Sequence, residues 1–242
     1  MHFFNKYVLL FATVIVFTLA CNSTYTSKKV GYFNIDFPEK KYVLFAEAAM
    51  PYSFEYPTYA KIIKDSTYFD ANPENEYWRN IDFTNFNAKI FLSYKIVGGK
   101  ALYKVKVADG KYKDSLGTNA YDRMINDAFN LTSKNEDVAT SKKDSLFKTA
   151  NNVSGLLFKL GGNAATQRQF FMTDTTKNFI RGALYFYASP NADSVKPVVD
   201  FLQKDIDHLI ETFKWKNKGA TFSEPKAISN QDPAIKEENL KK

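Results

Sequence analysis

Hydrophobic and polar residues alternate with a period of two from Val153 to Tyr187, and this pattern predicts three consecutive β-strands. The three segments read VSGLLFKL, TQRQFFMT and FIRGALYFY, and the stretches that connect them read GGNAA and DTTKN. Short connections rich in glycine, asparagine and aspartate close antiparallel hairpins. We therefore expect an antiparallel meander of three strands near the C-terminal end of the chain.

After the meander the spacing of apolar residues changes to three and four, which is the period of an amphipathic helix. The helix is expected to run from Asp193 to about Phe213. Its apolar stripe comprises Val195, Val198, Leu202, Ile206, Leu209 and Phe213. A helix with one apolar face buries that face by lying on a sheet. The meander and this helix are therefore predicted to organise the fold.

Weaker patterns upstream add further elements to this unit. Alternation predicts strands at Tyr77–Phe83 and Ala88–Ile96, and PYSFEYP, which begins at Pro51 and lies between two prolines, is predicted to be an edge strand. Apolar residues at helical spacing predict a second helix from Tyr121 to Leu131. The predicted fold class is therefore α+β, with one domain at residues 31–215 built from an antiparallel sheet packed against two helices.

A lysine-rich stretch at Val97–Thr118 interrupts this domain. It contains strand-like residues on both sides of Asp109-Gly110, a strong signal for a two-residue hairpin. Six lysines and two aspartates lie within Lys95–Gly117, so this stretch carries over half of the net charge of +7. It is interpreted as a solvated hairpin whose lysines block edge-to-edge association. The alternative is a patch for anionic lipid headgroups or for an acidic partner.

The N-terminal residues have the composition of a signal peptide. A basic start that includes Lys6 is followed by an uncharged, mostly apolar run from Tyr7 to Ala20, which is short for a membrane span. The run ends in Thr18-Leu19-Ala20-Cys21, which resembles a bacterial lipobox except that Thr18 replaces the usual leucine. Residues 1–20 are therefore predicted to be a lipoprotein signal peptide, and residues 21–30 a polar tether.

Cys21 is the only cysteine of the chain, and a lone cysteine at this position predicts lipidation. Its thiol would receive diacylglycerol, and the acyl chains, palmitate among them, would hold the exported protein on a membrane. The alternative is an ordinary secreted protein with an incidental cysteine. At the other end of the chain, residues 216–242 are polar and charged, and they are predicted to be a disordered tail.

The residue composition argues against most enzyme classes. Histidine is the usual general base, and only His2, which would leave with the signal peptide, and His208 are present. No G-x-S-x-G motif supplies a serine nucleophile, and one histidine without a free cysteine does not form a usual zinc site. Asp205, His208 and Glu211 lie one helical turn apart and could share a metal, but they are interpreted as the polar face of the helix. No enzyme, metal or cofactor is predicted, and the absence of a nucleic-acid motif predicts no nucleic-acid partner.

Five residues of the meander are predicted as a candidate interaction surface. They are Gly161, Gly162, Asn163, Gln169 and Arg181. The glycine pair could suggest a phosphate loop, but such a loop precedes a helix, and here a strand follows. A hairpin turn with positive φ is the better interpretation of the two glycines, and sheet polarity is the alternative for the other residues.

Several motifs in this chain resemble the gliding-motility lipoprotein family GldD of Bacteroidetes. The resemblance extends over most of residues 31–215 and is most specific from Gly161 to Trp215. Its motifs are GGNAA at 161, QFF at 169, TD at 173, RGALYF at 181, PNADS at 190 and DHLIETFKW at 207. Upstream motifs that also fit include GYF at 31, FPEK at 37, PYSF at 51, PTYA at 57 and LSYK at 92. The lysine-rich stretch and the C-terminal tail depart from the family pattern, as an insertion and an extension.

The resemblance implies a non-catalytic lipoprotein that gliding motility requires, in bacteria that couple motility to type IX secretion. Its expected partners are the membrane, through the acyl anchor on Cys21, and other gliding and type IX secretion proteins that it binds or stabilises. The expected location is the cell envelope, facing the periplasm, with the outer membrane favoured over the inner membrane. The architecture is also similar to the PsbP/Mog1-like fold. The competing functional class is a periplasmic protein that binds or hydrolyses cell-wall glycan.

Overall fold

The structure is a computed structural model that describes residues 35–64, 76–107, 110–187 and 192–216. These residues belong to one compact unit that begins at Ile35. The expected signal peptide, the lipidated tether at residues 21–30, and residues 217–242 of the expected tail lie outside the described residues, as does Cys21. No helix within the described ranges is long and apolar enough to span a membrane.

Twelve strands and two α-helices form the described part of the chain. The strands are β1 Tyr42–Phe45, β2 Tyr52–Pro57, β3 Lys61–Lys64, β4 Arg79–Phe83, β5 Ala88–Ile96, β6 Lys100–Lys106, β7 Tyr112–Thr118, β8 Ala139–Lys148, β9 Ser154–Gly162, β10 Arg168–Thr173, β11 Asn178–Phe186 and β12 Lys214–Trp215. The helices are α1 Tyr121–Ser133 and α2 Ala192–Thr212. Two short 3-10 turns precede β5 and β8, at Thr84–Phe86 and Glu136–Val138.

Three antiparallel sheets contain these strands. The large sheet has seven strands in the order β3-β4-β5-β11-β10-β9-β8, and a small sheet has the order β1-β2-β12. The strands β6 and β7 form a separate hairpin, as the Asp109-Gly110 signal predicted. Whether this hairpin is an insertion relative to the family stays a prediction.

The long helix α2 covers one face of the large sheet because its apolar stripe meets the residues that point to that face. Ile206 and Leu209 of α2, Met172 of β10 and Ile180 of β11 belong to one buried cluster. Phe54 of β2 belongs to the same cluster, so the small sheet helps to close this side. This cluster is the main hydrophobic core.

Helix α1 covers the opposite face of the large sheet. Met124 and Ala128 of α1 pack with Phe158, Phe171 and Phe179, which alternate along the strands with residues of the main core. The large sheet is thus buried on both faces between two helical layers. The prediction of an α+β fold, with an antiparallel sheet packed against two helices, is confirmed.

The meander and its helix are observed within one or two residues of the predicted bounds. One other expectation was wrong, and one long strand was not foreseen. Strand β2, predicted as an edge strand, is the middle strand of the small sheet, because β12 pairs with its free side through Lys214↔Ser53. The ten-residue edge strand β8 was not predicted.

Candidate functional site

A cleft of about 620 Å³ lies between α1 and the large sheet, and we name it the Arg181 cleft. This volume falls within the range that is usual for ligand sites. Strands β5 and β11 line it with Ser93, Lys95, Phe179 and Arg181. Helix α1 lines it with Met124, Asp127, Ala128, Asn130 and Leu131, and Lys134 follows the helix. Three basic side chains and one acidic side chain therefore line the cleft.

Two of the five predicted surface residues, Gln169 and Arg181, come together behind this cleft. Because β10 and β11 are antiparallel with Phe171 opposite Arg181, Gln169 lies diagonally across from Arg181 on the α1 side of the sheet. The guanidinium of Arg181 donates a hydrogen bond from Nη2 to Oε1 of Gln169. Gln169 is buried, and the hydroxyl of Thr132 on α1 lies 3.4 Å from the same oxygen.

Burial lowers the pKa of the Arg181 guanidinium, and an electrostatic interaction with the side chain of Tyr185 offsets part of this effect. No carboxylate lies within ion-pair distance of Arg181 in the described part of the chain. Lys95 likewise makes no ion pair with a described carboxylate. The cleft therefore presents positive charge that the described residues do not neutralise.

The other three predicted surface residues lie elsewhere. Gly161 and Gly162 end β9 and pair with β8, and Asn163 is an exposed residue of the connection to β10. Gly162 has φ of 79°, and a Cβ there would lie 2.7 Å from the backbone nitrogen of Thr140. None of the three is among the residues that line the Arg181 cleft. A close approach of backbones therefore accounts for the glycine at position 162.

A second polar group, which we name the Asp205 cluster, was not foreseen from the sequence. It consists of Lys40, Tyr42, Tyr59 and Asp205. Lys40 Nζ lies 2.7 Å from Oδ1 of Asp205, the hydroxyl of Tyr42 donates to the same oxygen at 2.9 Å, and the hydroxyl of Tyr59 donates to Oδ2. The Lys40 ammonium also lies 3.5 Å from the centre of the Phe201 ring.

The interpretation of Asp205 as part of the polar face of α2 was therefore wrong. Asp205 is 3% exposed, whereas Glu211 on the same helix is exposed. The spacing of apolar residues indicates that Asp205 is buried, because position 205 lies three residues after Leu202 and four before Leu209, within the apolar stripe. Burial raises the pKa values of Tyr42 and Tyr59, and the hydrogen bonds to Asp205 act in the same direction.

His208 lies next to this cluster and contacts two residues of the small sheet. Its ring stacks on Tyr42 with centroids 3.6 Å apart, and its Nε2 lies 2.7 Å from Oε2 of Glu55. Within the described ranges no group of three or more His, Cys, Asp or Glu residues is placed to hold a metal ion. His208 therefore acts as a packing and hydrogen-bonding partner of β1 and β2.

The α+β domain follows an N-terminal segment that was predicted to be a lipoprotein signal peptide, so the class that the sequence predicts is that of lipoproteins. A family model described as gliding motility lipoprotein GldD matches residues 22–215. The chain belongs to this family, as the resemblance of its motifs predicted. Its role is therefore in gliding motility and its place is the cell envelope, and the family is not a known enzyme family.

No curated protein matches the chain. Among solved structures, the cyanobacterial PsbP protein (CyanoP) from Synechocystis sp. PCC 6803 is similar with 10% sequence identity and a TM-score of 0.37. The match covers 74% of this chain and 95% of the cyanobacterial one.

Proposed function

We propose that the folded domain is a non-catalytic adaptor that binds or stabilises components of the gliding machinery and of the associated type IX secretion system. Membership of a motility lipoprotein family over residues 22–215 is the observation that supports this role most. The domain is a single compact unit whose described surface includes a basic cleft of ligand-site size. A compact domain of this kind is suited to bind other proteins with little change in its backbone.

The proposal includes an acyl anchor on Cys21 that keeps the domain on a membrane of a Bacteroidetes cell. Cleavage before Cys21 and addition of diacylglycerol and palmitate would leave the domain on a short polar tether. We favour the outer membrane with the domain in the periplasm. Growth with labelled palmitate, followed by cell fractionation of the native chain and of Cys21→Ser, tests both points. A labelled band that persists in the variant would contradict lipidation at Cys21.

The contact surface that we propose centres on Arg181 in the Arg181 cleft, while Gln169, which was predicted as a surface residue, is buried behind the cleft and holds the guanidinium from there. Gly161, Gly162 and Asn163, which were proposed with them, end β9 and lead into the next strand, and they stay candidates for a separate contact. A partner that enters the cleft meets side chains that the sheet and α1 hold in place, so little ordering entropy is lost on binding.

The experiment is a detergent pull-down of the tagged, lipidated protein from its native cells, analysed by mass spectrometry. The expected result is recovery of gliding or type IX secretion proteins with the native chain. The matched variants reverse charge at Lys95 or Lys134 in the cleft, and the control reverses it at Lys143, which is exposed on the edge strand β8. Loss of partners with the cleft variants alone would place the contact in the cleft.

The competing class, a protein that binds or hydrolyses cell-wall glycan, predicts a different result. A preparation without motility or secretion proteins that carries glycan fragments or sediments with isolated peptidoglycan would contradict the adaptor proposal. The next variants would then be at His208 and Glu55, whose partly exposed side chains lie 2.7 Å apart between α2 and β2.

A further inference from the structure

Arg181 carries a charge that the described part of the protein leaves without a counter-ion. Its guanidinium interacts with two side chains, the amide oxygen of Gln169 and the side chain of Tyr185, and neither of them is a carboxylate. Removing a charge from water is costly unless an opposite charge compensates for it. An arginine that lines a cleft under these conditions is suited to meet an anion that comes from outside the domain.

The side-chain amide nitrogen of Gln169, which lies behind the cleft next to Arg181, also lacks a partner within the described ranges. Its side-chain oxygen accepts the hydrogen bond from Arg181, so its Nε2 points in the other direction. That Nε2 is buried and has no hydrogen-bond acceptor among the described residues. A buried donor without an acceptor costs about 1–3 kcal/mol in a folded protein. The polar group behind the cleft therefore contains a guanidinium without an anion and an amide without an acceptor.

The walls of the cleft add two further properties. Lys95 on β5 and Lys134 after α1 contribute positive charge, and the one acidic lining residue, Asp127, makes no ion pair with any described basic residue. Phe179, Met124 and Leu131 make part of the lining apolar. A ligand that fits this lining carries negative charge next to an apolar group.

We infer that the Arg181 cleft binds an acidic segment of a partner protein, with a carboxylate of that segment paired to Arg181 and an apolar side chain of the segment against Leu131, which is 39% exposed. Arginine suits this role because its planar guanidinium presents two parallel N–H donors to the two oxygens of a carboxylate. The apolar lining favours a peptide over a small inorganic anion, which has no group to place there. This inference rests on the adaptor function proposed above and names the chemistry of the partner.

The test uses the full mature protein in detergent and measures fluorescence anisotropy of labelled hexapeptides. One pool is built from glutamate, leucine and phenylalanine, and the matched pool has glutamine in place of every glutamate. Sodium phosphate is titrated as a competitor at constant ionic strength. The expected result is that the acidic pool binds, the glutamine pool binds at least about tenfold more weakly, and phosphate competes only poorly.

Variants then locate the binding site. Arg181→Lys keeps the charge but loses the planar pair of donors, and it is expected to weaken binding of the acidic pool about tenfold or more. Lys134→Gln removes an exposed rim charge and is expected to weaken binding about two- to fivefold. Lys143→Gln, an exposed lysine outside the cleft, is the control and is expected to change nothing. Circular dichroism checks that each variant is folded. If Arg181→Lys does not fold, Lys134→Gln still tests whether the peptides bind in the cleft.

Several results would overturn the inference. They are equal binding of the acidic and glutamine pools, no binding of the acidic pool at millimolar concentration, phosphate that competes as well as the acidic peptides, and unchanged binding by folded Arg181→Lys. A pull-down from native cells that still recovers motility proteins with Arg181→Lys would overturn the role of the cleft and leave the adaptor function intact. A pull-down that recovers none with the native chain would contradict the adaptor function itself.

Discussion

Lys40 and Asp205 form an ion pair that joins the segment before β1 to the middle of α2, with Nζ 2.7 Å from Oδ1. The two residues are 165 positions apart in the chain. Two tyrosine hydroxyls complete the hydrogen bonding of the same carboxylate. Asp205 is therefore the acceptor that holds the N-terminal segment of the domain on the helix.

Asp205→Ala is expected to lower the free energy of unfolding by about 3–5 kcal/mol, because it leaves the Lys40 ammonium and two hydroxyls without their acceptor. Chemical denaturation monitored by circular dichroism measures this change. Glu211→Ala, at an exposed position of the same helix, is the control and is expected to stay within about 0.5 kcal/mol. Equal effects of the two substitutions would contradict the role given to Asp205.

Arg181→Met is expected to leave the free energy of unfolding unchanged or to raise it by on the order of 1 kcal/mol, because it removes a charge that no described carboxylate compensates. The same substitution is expected to reduce binding of acidic peptides. Denaturation and anisotropy measurements on one preparation separate the two effects. A large loss of stability would show that Arg181 is a structural residue, and the cleft would then lose its main support as a binding site.

The pH dependence of stability tests Asp174, which closes the turn between β10 and β11. Burial opposes ionisation of Asp174, but hydrogen bonds from the backbone N–H groups of Asn178, Lys177 and Thr176 outweigh it and hold the pKa below the usual value. Because the folded-state pKa lies below the unfolded-state value, this stabilisation is present above about pH 4 and is lost as the pH falls through the folded-state pKa. Asp174→Asn is expected to flatten this part of the stability curve in denaturant titrations between pH 2 and 6. If the stability of Asp174→Asn fell as steeply below about pH 4 as that of the native chain, the prediction would be contradicted.

Thr175 adopts a left-handed backbone conformation with φ of 65°, which is strained for a β-branched residue. Thr175→Gly is expected to raise the free energy of unfolding by roughly 0.5–1 kcal/mol, because glycine adopts this conformation without the steric cost. The neighbouring Thr176→Gly is the matched control and is expected to lower stability, since Thr176 does not have a positive φ. Thermal unfolding of both variants compares the signs, and a loss of stability at position 175 would contradict the prediction.

Gly182 leaves room for an aromatic ring in the main core. A Cβ at this position would lie 2.1 Å from Cζ of Phe170, which pairs with Gly182 across β10 and β11. Gly182→Ala is expected to destabilise the fold by about 1–3 kcal/mol because it overpacks the core. Adding Phe170→Leu is expected to recover part of this loss, and a double-mutant cycle by denaturation measures the coupling. Additive effects would show that the two residues do not share this space.

The sequence predicted the parts of the fold whose residues alternate between buried and exposed positions. The meander and α2 have regular apolar spacing because each buries a defined face, and their bounds were predicted within one or two residues. Strand β8 was missed because all ten of its residues are exposed or half-buried, so ATSKKDSLFK lacks the alternation of buried and exposed residues that marks a strand. The position of β2 was wrong because its second neighbour, β12, is about 160 residues away and no local pattern reports such a pairing.

The candidate site was predictable only in part for the same reason. Gln169 and Arg181 were selected as polar residues of adjacent strands, but their contact depends on the register of β10 against β11. The α1 wall of the cleft, with Asp127 and Lys134, depends on how α1 crosses the sheet, and that is not encoded in its own spacing. The Asp205 cluster required a tertiary contact with Lys40, although the position of Asp205 in the apolar stripe was a usable signal.

The ion pair between Lys40 and Asp205 has a mechanical consequence for a lipoprotein held at its N-terminus. With the proposed anchor on Cys21, tension would enter the folded domain through its first described residues, where Ile35 packs against the main core, Phe37 stacks on Phe201 of α2 and Lys40 pairs with Asp205. A pull on the tether that separates Lys40 from Asp205 would lengthen the tether by the residues up to β1 before it disturbs the cleft. On this proposal, the contacts between this segment and α2 would yield first to a load on the anchor and would leave the Arg181 cleft intact.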